Sequence, residues 1–433
     1  MKEQERLSRE SLISQYHTFG RPKEEWLIGA ELERHLLFPD GRPLPYFGEP
    51  GVKWLLDRIA ARGWTVHREG ENPIHLEKNG THITLEPGGQ FELSGKPFDN
   101  IEDVADETAR FSRMVDAMLE GTGVRQVALG YTPFADIEDI PWVPKGRYVI
   151  MRQHLIETGK LAHHMMKGTC AVQASYDFST EEDAAMKVGL STRLGPLITA
   201  MFANSPLMCG EPNGWMSWRG HAWTQTDPRR TGFPAASENF TFEGWVDYLL
   251  QVPMMFRQDR DGNWTSAEGQ TFAQWLDDDD APPTADDWDL HLTSVFPEVR
   301  IKRTIEVRGA DCVPPPLAMA FVALFKGLFY CSQATGEAVL LSRAFARSGT
   351  KEQRFEEACR FGLHGVVGDR RLSSWAEELV LCADEALGRC APADRKWLKP
   401  LIAQVELGES PARTLLRRVE QVGVHQAVFE SGA

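Results

Sequence analysis

The sequence predicts an α+β fold, a mixed sheet-and-helix body followed by a helical C-terminal third, and three observations carry that prediction. Alternation of polar and apolar residues with period two recurs in four separated stretches, the mark of strands with one buried face. Between them lie windows with apolar residues at helical spacing. After residue 316 the chain becomes rich in Ala, Leu, Glu and Arg at helical spacing and stays so to about residue 427.

Taken in order, the first twenty residues read as a helix that ends at Gly20-Arg21-Pro22, and a strand follows in EWLIGAELERHLL. There Trp26, Ile28, Ala30 and Leu32 share one face, and Gly29, Glu31, Glu33 and His35 share the other. An amphipathic helix is predicted over 51–63, strands at 64–68 and 82–94, and a helix over 100–121 that Gly121 stops. Within ITLEPGGQFELSG (83–95), Thr84 and Glu86 point one way, and beyond the Pro-Gly-Gly break Gln90, Glu92 and Ser94 point together. Two outcomes stay open there: an edge hairpin with solvated acids, or a turn that brings both carboxylates into one pocket.

A strand around 124–134 comes next, and a long helix is predicted at 180–203. In GTCAVQASYDF, Thr169, Ala171, Gln173, Ser175 and Asp177 oppose Cys170, Val172, Ala174, Tyr176 and Phe178. DDDDAPPTADD (277–287) reads as a solvated acidic loop. RIKRTIEVRGAD reads as one strand with Arg300, Lys302, Thr304, Glu306 and Arg308 on one face and Arg303 as the exception. PLAMAFVALFKGLFYC is too short for a membrane span and contains Lys326, so it reads as a buried helix.

The bulk properties narrow the function. A net charge of −15 on 433 residues argues against nucleic acid or an anionic membrane as the main partner, yet local cations can still receive ATP. Seven cysteines without a Cys-x-x-Cys pair argue against a zinc ribbon, and with a charged, apolar-poor N-terminal stretch they predict a reducing, cytoplasmic protein that needs no disulfide. GQFELSGKP spaces its glycines one residue too far apart for a phosphate loop, and Pro97 stands where Ser or Thr should hold magnesium.

Acids at i, i+2 on an otherwise apolar strand repel unless water or a cation stands between them. Several such strands, with cationic strands among them, suit an open sheet whose polar side binds something ionic. Glu31, Glu33, Glu86, Glu92 and Glu306 offer hard oxygens that suit Mg²⁺, and nearby Arg and Lys suit phosphates. A merely salt-bridged sheet face is the other reading of the same pattern.

Together these strands resemble the glutamate–cysteine ligase family of the plant and proteobacterial type. IGAELE is similar to its Gly-x-Glu-x-Glu strand, LEPGGQFELSG to its signature hairpin, and HHMMKGTCAVQASYDFSTEED to its Thr-Cys-x-Val-Gln strand and following helix. MFANSPLMCGEPNGWMSWRGHAWTQTDPRRTGF and FPEVRIKRTIEVRGAD are similar to its central segment and late strand, so the resemblance spans about 25–330. It implies a glutamine-synthetase-like fold, a curved, mainly antiparallel sheet funnel backed by helices. It also implies a ligase body over 1–330 with a helical region at 331–433 packed on it as one unit. The implied reaction joins the γ-carboxylate of glutamate to the amine of cysteine through γ-glutamyl phosphate, with ATP and two or three Mg²⁺, in a monomer or homodimer. The resemblance makes Glu31, Glu33, Glu86, Glu92 and Glu306 metal ligands, with Gln173 beside them. It aims Lys302 and Arg308 at phosphate, and gives Arg147, Arg219, Arg230, His221 and Trp223 to the substrates.

Departures from the family pattern fall at His154, Leu155 and Ile156, at Gly220 and Gln225, and at Cys312-Val313-Pro314-Pro315. They imply that His154 and the 312–316 segment sit near the acceptor pocket. Two alternatives therefore accompany the main reading: a glutamate ligase with a different amine, and a non-catalytic binding relative.

Overall fold

A computed structural model describes residues 6–431. Among the described residues, nine strands form one sheet: β1 (Ile28–Leu37), β2 (Thr65–Glu69), β3 (Asn72–Lys78), β4 (Thr81–Leu85), β5 (Phe91–Ser94), β6 (Arg125–Val127), β7 (Ala171–Tyr176), β8 (Val299–Ile301) and β9 (Ile305–Asp311). The order is β8-β9-β7-β1-β5-β4-β3-β2, with β6 on the far end of β1, and every pairing is antiparallel. β3 is absent from the sequence reading because Asn72-Pro73 and the charged Glu77-Lys78 frame too short an apolar core to stand out.

RIKRTIEVRGAD is a hairpin rather than one strand: Lys302–Thr304 form the turn, and Arg300 pairs across the ladder with Glu306. Parity survives the turn because directly opposed residues share a face. Arg303, the residue that broke the alternation, sits at the exposed tip near Asp289.

One face of the sheet is apolar where it is buried, except at Arg34 of β1. Ile28, Ala30 and Leu32 of β1 and Val172, Ala174 and Tyr176 of β7 pack with the helices Glu181–Phe202 and Pro315–Tyr330. Leu76, Ile83, Leu85, Phe91 and Leu93 pack with Val52–Ala60 and Ile101–Leu119. Helix Pro315–Tyr330 is buried from Ala318 to Phe329, which its near-uniform apolarity demands. Lys326 is reconciled with that burial by Asp394, whose carboxylate lies 2.6 Å from its Nζ. Among the described residues, no single helix is long and apolar enough to cross a membrane. A single apolar cluster runs from Leu12 to Val405 and so includes the C-terminal helices as far as Lys399–Glu406, while Leu415, Ala427 and Val428 of the last two helices pack in a smaller cluster with Leu37, Val127 and Leu129.

Cysteine usage differs from the expectation. A disulfide joins Cys331 to Cys390, clipping the end of Pro315–Tyr330 to the end of helix Leu372–Cys390. An odd cysteine count carries no information on pairs that are distant in sequence but adjacent in the fold. Cys170, in contrast, is buried as its strand parity predicts.

Candidate active site

The other face of the sheet is polar, and its registers explain its chemistry. Glu33 of β1 stands directly across the ladder from Glu92 of β5, and Glu31 lies opposite Gln173 of β7 and Ser94 of β5. Two like charges in direct opposition destabilise a sheet unless something neutralises them. The hairpin of β4 and β5 supplies Glu86 as well. Its turn closes through the Gly89 N–H donating to the Glu86 carbonyl at 2.9 Å, with Gly89 at φ 85°. Gly88 lies against the backbone of Lys167, where a Cβ would fall 2.2 Å from the carbonyl oxygen. Gln90 fastens the turn: its Nε2 donates to the carbonyls of Thr169 at 2.8 Å and Met166 at 3.2 Å.

Glu31, Glu33, Glu86 and Glu92 thus line one cavity of about 340 Å³, together with Gln173, Arg147, Arg219, Arg300, Lys302, Arg308 and Trp223. The hairpin is therefore the wall of a pocket and not a solvated edge. Met151, Met165, Met166, Phe256 and Phe296 give the cavity an apolar side.

Electrostatics divide this cavity into two walls. Burial, and then Glu86, push the Glu33 carboxyl up to about 8. Burial and the neighbouring Glu31, Glu86 and Glu33 raise Glu92 well above the usual carboxylate range, and burial with Glu306 raises Glu31. Glu33 is oriented by the Ala171 N–H at 2.8 Å and the Gln173 side-chain amide at 3.2 Å, and Glu92 by the Thr84 hydroxyl. Across the cavity Arg300 donates from two nitrogens to Glu306 at 2.9 and 3.1 Å, and Arg308 bonds both Glu306 and Gln173. Burial opposes ionisation of Glu306, but Arg300, Arg308 and Lys302 outweigh it and hold the carboxyl well below its ordinary range. Burial and Arg300 bring the Lys302 ammonium down to about 7.

This geometry sorts the residues expected from sequence. Glu306 lies near Glu31 but not among the residues lining this cavity, and its oxygens are engaged by the Arg300 and Arg308 guanidiniums, which is the geometry of a counter-ion rather than of a free metal ligand. Arg230 is not in the cavity either. It is fully buried, its Nε 2.8 Å from Asp227 and its other nitrogens donating to the carbonyls of Ser294 and Pro253, so it anchors loops. His221 stacks on Trp215 with ring centroids 4.0 Å apart, outside the cavity, whereas Trp223 lines it. His154 turns toward Arg230 and Asp227, and Cys312 is buried on the reverse face beside Arg34, so neither departure from the family pattern touches the cavity.

Three lining groups escaped the sequence reading. Arg300 shares its parity with Lys302 and Glu306, which is signal enough to have included it. Lys145 and Tyr148 both donate to the Leu85 carbonyl, at 2.9 and 2.6 Å, and no local pattern marks a loop lysine as buried. Burial and Arg147 lower the Lys145 ammonium to about 8. Among the described residues, Arg147 Nε, Arg219 Nε and Trp223 Nε1 are buried donors without a protein acceptor.

The donor chemistry of the acid wall fits a hard divalent cation, since clustered carboxylates of which Glu31, Glu33 and Glu92 are biased to the neutral form are what a site with too little positive charge presents. Among the described residues, no three His, Cys, Asp or Glu side chains are already gathered as a cation cage.

Known proteins resemble this chain over most of its length. Residues 27–431 match the model of glutamate-cysteine ligase family 2. The chain is 38% identical over 421 residues to the chloroplastic glutamate–cysteine ligase of Brassica juncea, covering 95% of this chain and 81% of that protein. It is 37% identical over 421 residues to the chloroplastic enzyme of Arabidopsis thaliana, covering 95% and 80%. In fold it resembles the glutamate–cysteine ligase of Francisella tularensis solved with AMP, at a TM-score of 0.60 and 12% identity over 94% of this chain and 87% of that one. The α+β expectation with an antiparallel sheet backed by helices therefore holds. The cytoplasmic expectation does not, because these plant relatives are chloroplastic. Charge and cysteine count describe the solvent around a protein, and a compartment address is a separate signal.

Proposed function

The chain belongs to glutamate-cysteine ligase family 2, and on that premise we propose that it is an ATP-dependent ligase joining the γ-carboxylate of L-glutamate to the amine of L-cysteine, the first step of thiol tripeptide synthesis. One observation carries the reading: four glutamates face Arg300, Lys302 and Arg308 across a single cavity. An acid wall suits cations and a cationic wall suits phosphate, so their opposition suits phosphoryl transfer.

A carboxylate is a poor acylating agent, and phosphorylation to γ-glutamyl phosphate gives it a leaving group that the amine then displaces. Arg308, Arg300 and Lys302 face the phosphoryl oxygens and stabilise the charge that develops on them. Glu306 holds the two arginines in place. Glu31, Glu33, Glu86 and Glu92, with Gln173, would hold two or three Mg²⁺, which neutralise the triphosphate when bound. Arg147 and Arg219 read the α-carboxylate of glutamate, since a guanidinium fork matches a carboxylate. The methionine and aromatic side excludes water, which would otherwise hydrolyse the acyl phosphate. Trp223 closes that side. The same reading takes the 1–330 body and the 331–433 helices as one unit, supported by their shared apolar cluster, in a monomer or homodimer.

Cysteine stays the preferred acceptor because His154 and Cys312 lie off the cavity. The test is purified protein with ATP, Mg²⁺ and glutamate carrying ¹⁸O in its γ-carboxylate, screened against a panel of amines by product mass. One label should pass to phosphate, with cysteine turning over best. AMP and pyrophosphate as products, or another amine far ahead of cysteine, would overturn the route or the acceptor respectively.

A further inference from the structure

A second cavity, of about 600 Å³, lies on the opposite side of β1 from the candidate active site. Glu33 and Arg34 are consecutive in a strand and so point to opposite faces. Glu33 lines the front cavity and Arg34 lines the rear one. The rear walls are the end of helix Ile101–Leu119, the start of β6, Pro315 and Phe429.

Arg34 is only 5% exposed. One of its nitrogens donates to the Glu33 carbonyl at 2.7 Å and to Cys312 Sγ at 3.0 Å. Among the described residues, no carboxylate lies within 4.0 Å of its guanidinium. Cys312 does not supply the missing charge, because burial pushes its thiol up to about 11. The contrast with Arg230, Arg300 and Arg308 is sharp, since each of those has a carboxylate in contact. A buried guanidinium with free donors and no anion is costly unless something outside the chain completes it. The cavity is of the size that small ligands occupy, about 300–1,000 Å³ in general. Leu119, Val124, Pro315 and Phe429 line it with carbon, which favours an organic acid over a fully hydrated inorganic ion, while the charged groups that also line it, Asp116, Glu120 and Arg125, are solvent-exposed and so screened, unlike Arg34.

We propose that this rear cavity is a binding site for a small carboxylate-bearing metabolite, held by the Arg34 fork and separate from the pocket in front of the sheet. Such a ligand would sit back to back with Glu33, sharing one residue of backbone with the catalytic face.

The probes are malonate and, separately, inorganic phosphate, titrated calorimetrically into the full chain with and without saturating glutamate. Malonate should bind saturably whether or not glutamate is present. Arg34→Gln should weaken it by roughly tenfold or more, the scale of a lost charge-assisted contact. Ala117→Trp provides a variant that leaves Arg34 in place, because Ala117 is an exposed helical residue at the cavity mouth and the indole would obstruct entry without disturbing the core. It too should weaken malonate binding while preserving the thermal melt. Absence of saturable binding, or unchanged affinity in Arg34→Gln or in Ala117→Trp, would overturn the proposal. Preference for phosphate over malonate, lost in both variants, would overturn the carboxylate assignment.

Discussion

The two walls of the front cavity bury glutamates to the same depth and treat them in opposite ways. Glu33 and Glu92 are 8% and 7% exposed, and Glu306 is 7% exposed. Glu33 and Glu92 oppose each other across the β1–β5 ladder, and their carboxyls are pushed up. Glu306 opposes Arg300 across the β8–β9 ladder, and its carboxyl is pulled down. Depth does not set a buried carboxyl's role; the residue across the ladder does. An acid that faces an acid waits for a cation from outside, and one that faces arginine is already spent as a counter-ion.

The sharpest way to break this comparison is to make the same substitution on each wall. Glu306→Gln leaves two buried guanidiniums short of charge, and loss of one partner of a buried pair typically costs about 3–5 kcal/mol. Urea unfolding should show that loss together with loss of turnover. Unchanged stability would mean the two arginines are solvated, and the two walls would then not differ.

Glu92→Gln should do the reverse. Removing a repelling carboxylate leaves apo stability equal or higher. Turnover should fall by a factor on the order of 10²–10³, the scale seen when one preorganised electrostatic group is removed. MgATP should also stabilise this variant less than the parent. Near-normal turnover would sink the assignment of the acid wall to metal.

A smaller effect lies in the pH dependence. Glu33 has a folded value of about 8 against an ordinary 4.5. Between those values the folded protein keeps a proton that the unfolded chain has released, so this group's contribution to stability falls as pH rises through the window and is flat above it. Glu306 contributes in the other sense, with stability present above its ordinary value and lost as pH falls. The urea midpoint of apo protein at about pH 5 and about pH 8 should therefore differ less in Glu33→Gln than in the parent. Mg²⁺ should raise the parent's midpoint more at the higher pH, because the cation replaces the proton. An identical pH response in parent and variant would refute the raised carboxyl.

The smallest expected effect is at His154. His154→Ala should leave the choice of amine unaltered and lower stability by about 1 kcal/mol through its lost contact with Asp227 and Arg230. A change in the ranking of amines would reconnect the departure from the family pattern to the acceptor.

Much of the front face was legible in the sequence because strand parity is a strict code. Glu31 and Glu33 on one side of Ile28, Ala30 and Leu32 needed only the alternation, and the Pro-Gly-Gly break marked the turn that brings Glu86 and Glu92 to them. Parity also hid an error without cost: a three-residue turn between Ile301 and Ile305 kept Arg300, Lys302, Glu306 and Arg308 on one side whether read as one strand or two. What stayed illegible depended on distant packing. The family resemblance gives Arg230 to substrate, with a helix- or loop-anchoring ion pair as its other reading, and only the fold, which buries it on Asp227, decides for the ion pair. Nothing near Lys145 announces that its ammonium will be buried under β4. The Cys331–Cys390 link joins residues 59 positions apart and has no local trace.

The pairing of Lys326 with Asp394 has a consequence for how the chain matures. A growing polypeptide emerges from the ribosome at about 5–20 residues per second, N-terminal part first. All nine strands of the sheet are complete by Asp311, yet the helix that backs them carries a lysine whose counter-charge lies 68 positions further on. Until Asp394 appears, that helix settles against β7 only by burying an ammonium that has the Asp99 carbonyl as acceptor but no counter-charge. The last-made tenth of the chain thus supplies the charge that completes the burial of this helix on the first-made sheet, and a nascent chain paused before Asp394 would be an attractive client for a chaperone.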